Sequence, residues 1–126
     1  MKNNGRDVKH VGFDEVAGCS LRGYVRVTRD RLVEMFGEPN AEKLDSKTNN
    51  EWYLTIDGTP VTIYDYKDDS SNESDKEVMW HIGGKDYGSV LKIQWCGLEK
   101  AVTIPEYMEG VRNVWGFELK KVTEQA

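Results

Sequence analysis

The stretch Glu51 to Tyr66, EWYLTIDGTPVTIYDY, constrains the fold more than any other part of the chain. Trp52, Leu54 and Ile56 alternate with Tyr53 and Thr55. After Asp57-Gly58-Thr59-Pro60, Val61 and Ile63 alternate with Thr62, Tyr64 and Tyr66. A period of two sends successive side chains to opposite faces of a sheet, and Asp-Gly accepts the positive φ angles of a tight hairpin turn. Pro60 has no amide to donate, so it belongs outside the central ladder or at its start. The pattern predicts a hairpin whose core face carries Trp52, Leu54, Ile56, Val61 and Ile63. Its other face carries Tyr53, Thr55, Thr62, Tyr64 and Tyr66. Asp65 falls on the core side, which requires either a twist in the strand or an edge position with hydrogen bonds.

Other segments supply partners for this hairpin. Leu21 to Val27 has strand character, with Leu21, Gly23, Val25 and Val27 on one side and Arg22, Tyr24 and Arg26 on the other. TRDRLVEMFGEPN then reads as a short helix. Thr28 is its N-cap, Leu32, Val33 and Phe36 form its apolar stripe, Gly37 closes it and Pro39 prevents its resumption. Strand character returns at Val78–Ile82, and Gly83-Gly84 is expected to end it. In SVLKIQW, the alternation of Leu91, Ile93 and Trp95 favours a strand, with a short helix as the alternative. Residues 105–112 form a short helix or a large loop, followed by a strand-like run with Trp115, Phe117 and Leu119 on one side. The expected fold is α+β, a short helix packed on a mainly antiparallel sheet. It forms a single domain over residues 8–122 with a mobile acidic loop at 67–77, between a flexible N-terminus at 1–7 and a flexible tail at 123–126.

A chain of 126 residues can close one core without disulfides. Four tryptophans, six tyrosines and three phenylalanines argue against disorder along most of it. The net charge of −5 disfavours direct nucleic-acid binding, which draws on clustered lysine and arginine. Residues 67–77, KDDSSNESDKE, hold five acids and two lysines, −3 of that total, so the rest of the surface is only mildly acidic. Cys19 and Cys96 suggest free thiols rather than a disulfide framework. No apolar run approaches signal-peptide or membrane-spanning length, so a cytoplasmic protein without a membrane partner is expected.

The segments GYVRVTRDRLVEMFGEPN, EWYLTIDGTPVTIYDYK and WHIGG, in that order, resemble a family of small, mostly uncharacterised proteins encoded by bacteriophages. The resemblance spans about residues 23–86. It rests on Phe36-Gly37-x-Pro39, Trp52, Thr62-Ile63-Tyr64 and Trp80-His81-Ile82-Gly83-Gly84. From Tyr87 onward the chain departs from the simple closing helix usual in that family. The resemblance implies no reaction. It implies a phage origin, hence a place in the host cytoplasm and, by association, a protein that binds and inhibits a host defence or nucleic-acid enzyme. A second likeness, of the helix, Phe-Gly-x-Pro and the following Trp52-x-Leu54 strand, is to small beta-lactamase-inhibitor-like modules, and it carries no residue roles.

The candidate contact residues for such a host protein are Tyr53, Tyr64, Tyr66 and Trp115, with the acids Asp68, Asp69, Glu73 and Asp75 steering toward a basic target. The alternative is a bound nucleotide or cyclic nucleotide. Arg22, Arg26, His81 and Lys85 would meet phosphate, and Tyr64 or Trp80 would stack on the base. His81 is the only candidate for acid-base catalysis, as in a phosphoesterase, because its ordinary pKa lies nearest neutrality. No nucleophile motif accompanies it, so no enzyme is expected. His10, His81, Cys19 and Cys96 stand at no recognised ligand spacing. Asp57, Asp65 and Asp86 offer acids for magnesium, but Asp57 serves the turn first. Neither a metal nor another cofactor is expected.

Overall fold

The computed structural model describes residues 1–42, 48–66, 73 and 75–112. In chain order the elements are β1 (Lys2–Asn3), β2 (Arg6–His10), α1 (Phe13–Val16), β3 (Ser20–Thr28), α2 (Arg29–Phe36), β4 (Thr48–Ile56), β5 (Thr59–Tyr66), β6 (Glu77–Gly84), α3 (Gly88–Trp95) and β7 (Val102–Thr103). Residues 104–112 are helical. The described strands form one sheet in the order β1-β2-β4-β5-β6-β3-β7, with every pair antiparallel. The fold is α+β, a mainly antiparallel sheet with short helices packed on it.

The hairpin forms as its alternation predicts. Asp57 (φ 50°) and Gly58 (φ 80°) make a two-residue turn with both φ angles positive, and Ile56 pairs with Thr59. Pro60 is the second residue of β5, ahead of the first β5–β6 pair at Val61 and Gly84. Trp52, Leu54, Ile56, Val61 and Ile63 are all fully buried. They meet Leu32, Met35 and Phe36 of α2 and Val90 and Ile93 of α3, so the core lies between the sheet and these two helices. Trp52 and Trp80 cross edge to face at 5.5 Å, and each indole N–H donates to a backbone carbonyl, Gly37 and Val27 respectively.

The α2 helix has the predicted ends. Thr28 Oγ1 accepts the Arg31 amide at 3.1 Å, and Gly37 takes φ 78° while its amide donates to the Val33 carbonyl. Asp65 resolves its apparent conflict by hydrogen bonding at a bulge in β4. Its Oδ1 accepts the amides of Asn49 and Asn50, and its Oδ2 accepts the Asn50 side-chain amide.

Four expectations need correction. Residues 1–7 are not a frayed end. Lys2 pairs with Asp7, Asn3 pairs with Arg6, and the Asp7 amide donates to Asp57 Oδ1. Leu21 does not share the core face of Val25 and Val27. A bulge at Arg22 shifts the register between Leu21 and Gly23 and turns Leu21 to the other side. Gly83 and Gly84 do not stop the strand but complete it, pairing with both neighbours. A Cβ on Gly83 would lie 2.1 Å from Thr62 Oγ1, and one on Gly84 2.2 Å from Ser89 Oγ. Close approach, not a turn, requires glycine there. Finally, SVLKIQW is helical. Val90 and Ile93 are buried three residues apart while Leu91 and Trp95 face outward. The Asp86 carboxylate accepts the Gly88 amide at its start.

The expected run of Trp115, Phe117 and Leu119 and the tail at 123–126 lie outside the described residues, as do Asp68 and Asp69. No helix among the described residues is long and apolar enough to cross a membrane.

Candidate functional site

The face of the sheet opposite α2 and α3 carries two rows of side chains. Strand register sets Tyr53, Thr62, Gly83 and Leu21 in one row and Glu51, Tyr64, His81 and Tyr24 in the next. The missing side chain at Gly83 leaves a gap in the first row. On one side α1 stands over it, with Phe13 tilted toward Tyr53 at 6.2 Å. The result is a cleft of about 450 Å³. Tyr53, Thr62, Tyr64 and His81 form its floor, Phe13, Val16, Cys19 and Ser20 one wall, and Tyr66 with Thr48 the opposite side.

His81 is the centre of an aromatic cluster. It stacks on Tyr64 at 5.2 Å with the planes only 14° apart, and it meets Tyr66 and Tyr24 edge-on at 5.8 and 5.2 Å. Tyr107, in the helical segment 104–112, packs on Tyr24 at 4.8 Å. Cross-strand placement opposite both Tyr64 and Tyr24 is what assembles the group. Burial lowers the His81 pKa. The Tyr64 backbone and the Asp65 charge oppose that shift without overcoming it, so the imidazole is neutral at neutral pH. Nδ1 is shielded and has no well-formed hydrogen bond among the described residues. This arrangement offers aromatic surfaces against which a flat group can pack.

Three of the expected protein-contact residues, Tyr53, Tyr64 and Tyr66, come together here. Tyr53 is buried in the floor, whereas Tyr66 is 39% exposed at the rim. Glu73 and Asp75 are exposed, with Glu73 3.8 Å from Lys76, and neither lines the cleft. Trp115 is outside the described residues.

The alternative ligand set is dispersed. Trp80 is fully buried on the opposite face and is unavailable to a base. Arg22 is engaged, donating from Nε to the Gly84 carbonyl and from Nη2 to the Lys85 carbonyl. Arg26 is exposed but away from the cleft. Lys85 is exposed near Cys19. Burial raises the Cys19 thiol pKa, and the Lys85 and Arg22 charges only partly offset that. Of that set, Tyr64 and His81 alone line the cleft.

Among the described residues, no three His, Cys, Asp or Glu side chains converge where a metal ion would sit. Asp57 joins the turn to Asp7, Arg6 and Lys92, Asp65 is held by Asn49 and Asn50, and Asp86 begins α3. His10 is hydrogen-bonded through Nε2 to the Phe36 carbonyl, tying β2 to the end of α2.

Sequence reasoning missed the α1 wall and Tyr107. A signal for α1 exists in Phe13-Asp14-Glu15-Val16, where two apolar residues three apart flank acids suited to a first helical turn. Helices this short have little stability of their own, so the pattern is weak until a sheet lies beneath it. No protein-family model matches this chain, and no curated protein and no solved structure matches it either.

Proposed function

We propose that this protein is a non-enzymatic binding protein whose tyrosine-bearing sheet face receives a partner protein, with a flat side chain of that partner entering the cleft beside His81. The observation that carries this reading is the near-parallel Tyr64–His81 pair, flanked by rim residues that are exposed although aromatic, Phe13 at 40% and Tyr66 at 39%. Aromatic residues around a recess are the usual anchors of protein interfaces. The resemblance to small phage proteins makes a host defence or nucleic-acid enzyme the expected partner and its inhibition the expected result. The acidic segment 67–77 would speed encounter with a basic surface.

Purified host enzymes of these classes, assayed with and without the protein, test this directly. Inhibition that disappears in Tyr66→Ser and Phe13→Ser supports it. Inhibition unchanged in both, or absent with every enzyme tried, refutes it.

A second reading is favoured by one observation, the cleft's volume of about 450 Å³. That falls in the range of small-molecule sites, roughly 300–1,000 Å³. A nucleotide base would stack beside Tyr64 and His81 while Lys85 meets its phosphate. Native mass spectrometry of the purified protein would show the retained nucleotide, and calorimetry with a nucleotide panel would measure it. A bare protein that binds none of the panel eliminates this reading.

A further inference from the structure

We infer that the side chain received by the cleft is an arginine, held against aromatic faces with its guanidinium directed to Glu51. The inference rests on the partner-binding reading and names the chemistry of the group that enters. Phe13 and Tyr66 stand on opposite sides of the cleft, 40% and 39% exposed, with Tyr64 in the floor. The faces of such rings carry partial negative charge and attract a cation placed over them. Apolar side chains also gain from these surfaces, so the rings alone do not choose between a cation and a hydrocarbon.

The charges choose. Glu51 lines the cleft, opposite Tyr64 on β4, and among the described residues no lysine or arginine lines it. Burial keeps His81 neutral at neutral pH. The α1 wall adds Asp14 and Glu15, both exposed. The segment 67–77, at −3, follows directly on Tyr66, while the segment 41–47 before β4 is neutral, with Glu42 and Asp45 against Lys43 and Lys47. The opposing charges are Arg22 and Lys85, both acting on Cys19 at the other end of the cleft. Lys85 comes four residues after His81 and two strands from Glu51, a separation of about 16 Å by strand spacing and rise. The Glu51 end is therefore acidic with both cations counted.

That acidity selects the occupant. A phenylalanine or tryptophan entering there would cover Glu51 without pairing it, at a desolvation cost. A phosphate would meet like charge. A guanidinium is planar, stacks on aromatic faces and carries five N–H donors, which suits it to rings and carboxylate together better than the compact ammonium of lysine. A carboxylate has about four acceptor sites, so Glu51 can take part alongside the contacts it already makes. The chain itself uses this combination elsewhere, where the Arg6 guanidinium lies 4.6 Å from the Trp95 ring centre and 3.3 Å from Asp57.

The test is an amide NMR titration of the whole protein with blocked Gly-Arg-Gly peptide, up to about 20 mM. Versions with citrulline, which keeps the shape and loses the charge, and with phenylalanine serve as comparisons, as does adenosine monophosphate. Resonances of Glu51, Tyr64 and Tyr66 should shift with the arginine peptide, which should bind roughly fivefold or more tighter than the citrulline one. Tyr66→Leu removes an aromatic face and keeps an apolar group, and Glu51→Gln removes the charge. Each should weaken arginine binding by roughly fivefold, with the melting temperature of Tyr66→Leu within a few degrees of wild type. The inference is overturned if the arginine peptide leaves these resonances unmoved, if citrulline binds equally well, or if phenylalanine or adenosine monophosphate binds the cleft more tightly. Host-enzyme inhibition that is lost in Tyr66→Ser and Phe13→Ser would uphold the partner reading even then. Arginine binding with no enzyme inhibited would sink the partner reading and leave the guanidinium site standing.

Discussion

The two faces of the central sheet are built from the same strands yet solve opposite problems. On one, Trp52, Leu54, Ile63, Trp80 and Ile82 are fully buried under α2 and α3, and each polar atom of the tryptophans is matched to a carbonyl. On the other, Tyr24, Tyr64 and Tyr66 gather around His81, and Tyr53, Tyr64, Tyr66 and His81 line a cleft that α1 borders on one side. The first face is closed by nineteen buried residues in one cluster and supplies stability. On the second, Phe13 and Tyr66 remain partly exposed at the rim of the cleft. That contrast is the physical argument behind the proposal that one face supplies stability and the other receives a partner.

Truncation of one large ring on each face breaks the comparison most sharply. Trp52→Ala should cost about 3–5 kcal/mol, because it removes a large buried ring and strands the Trp80 edge contact. Tyr66→Ala should cost less than about 0.5 kcal/mol, since the ring is at the rim. Urea unfolding measures both, and similar losses would mean that the second face is simply more core.

The cleft floor gives a second, smaller contrast. Gly83→Ala should destabilise by about 1–3 kcal/mol, because its Cβ would overlap the buried, β-branched Thr62 side chain. Thr62→Ala should recover a large part of that loss, and a double-mutant cycle reads the coupling. Additive losses would place the cost elsewhere.

Below these comes the helix that closes the first face. Thr28→Ala should cost about 1 kcal/mol through loss of the cap on the Arg31 amide, as thermal unfolding would show, with no change at the cleft.

The smallest effect concerns pH. The folded-state pKa of His81 is lowered, so the unfolded chain binds this proton more readily. The contribution of neutral His81 is fully present above the ordinary histidine pKa of 6.5 and is lost as pH falls from there through the lowered folded value. His81→Phe should flatten this part of the stability profile while leaving stability near pH 8 little changed. An equal slope in the variant would assign the dependence to other groups.

Much of the first face was legible without coordinates. Alternation from Trp52 to Ile63, the Asp57-Gly58 turn, and the Thr28 and Gly37 ends of α2 depend on neighbours within a few positions. The tyrosines on the reverse side followed from the same alternation, whereas the β5–β6 register that sets His81 opposite Tyr64 did not. Less was legible where two periods fitted one segment. Leu91, Ile93 and Trp95 read as a strand because alternate residues are apolar, while Val90 and Ile93 fit a helix equally well. The ligand set is dispersed for a related reason. Trp80 and Arg22 have suitable chemistry, but one is absorbed by the core and the other by the carbonyls of Gly84 and Lys85.

The local code of this chain therefore specifies a hairpin, a capped helix and two chemically distinct sheet faces, because turn angles, capping and side-chain alternation act over a few residues. Tertiary structure alone decides that a bulge at Arg22 turns Leu21 into the cleft, that α1 becomes its wall, and that Gly83 and Gly84 make room for Thr62 and Ser89. It also decides that the 88–95 segment is a helix with Leu91 and Trp95 outward. Each of these outcomes depends on which distant strand or helix arrives alongside, and contacts of that kind leave no period in the sequence.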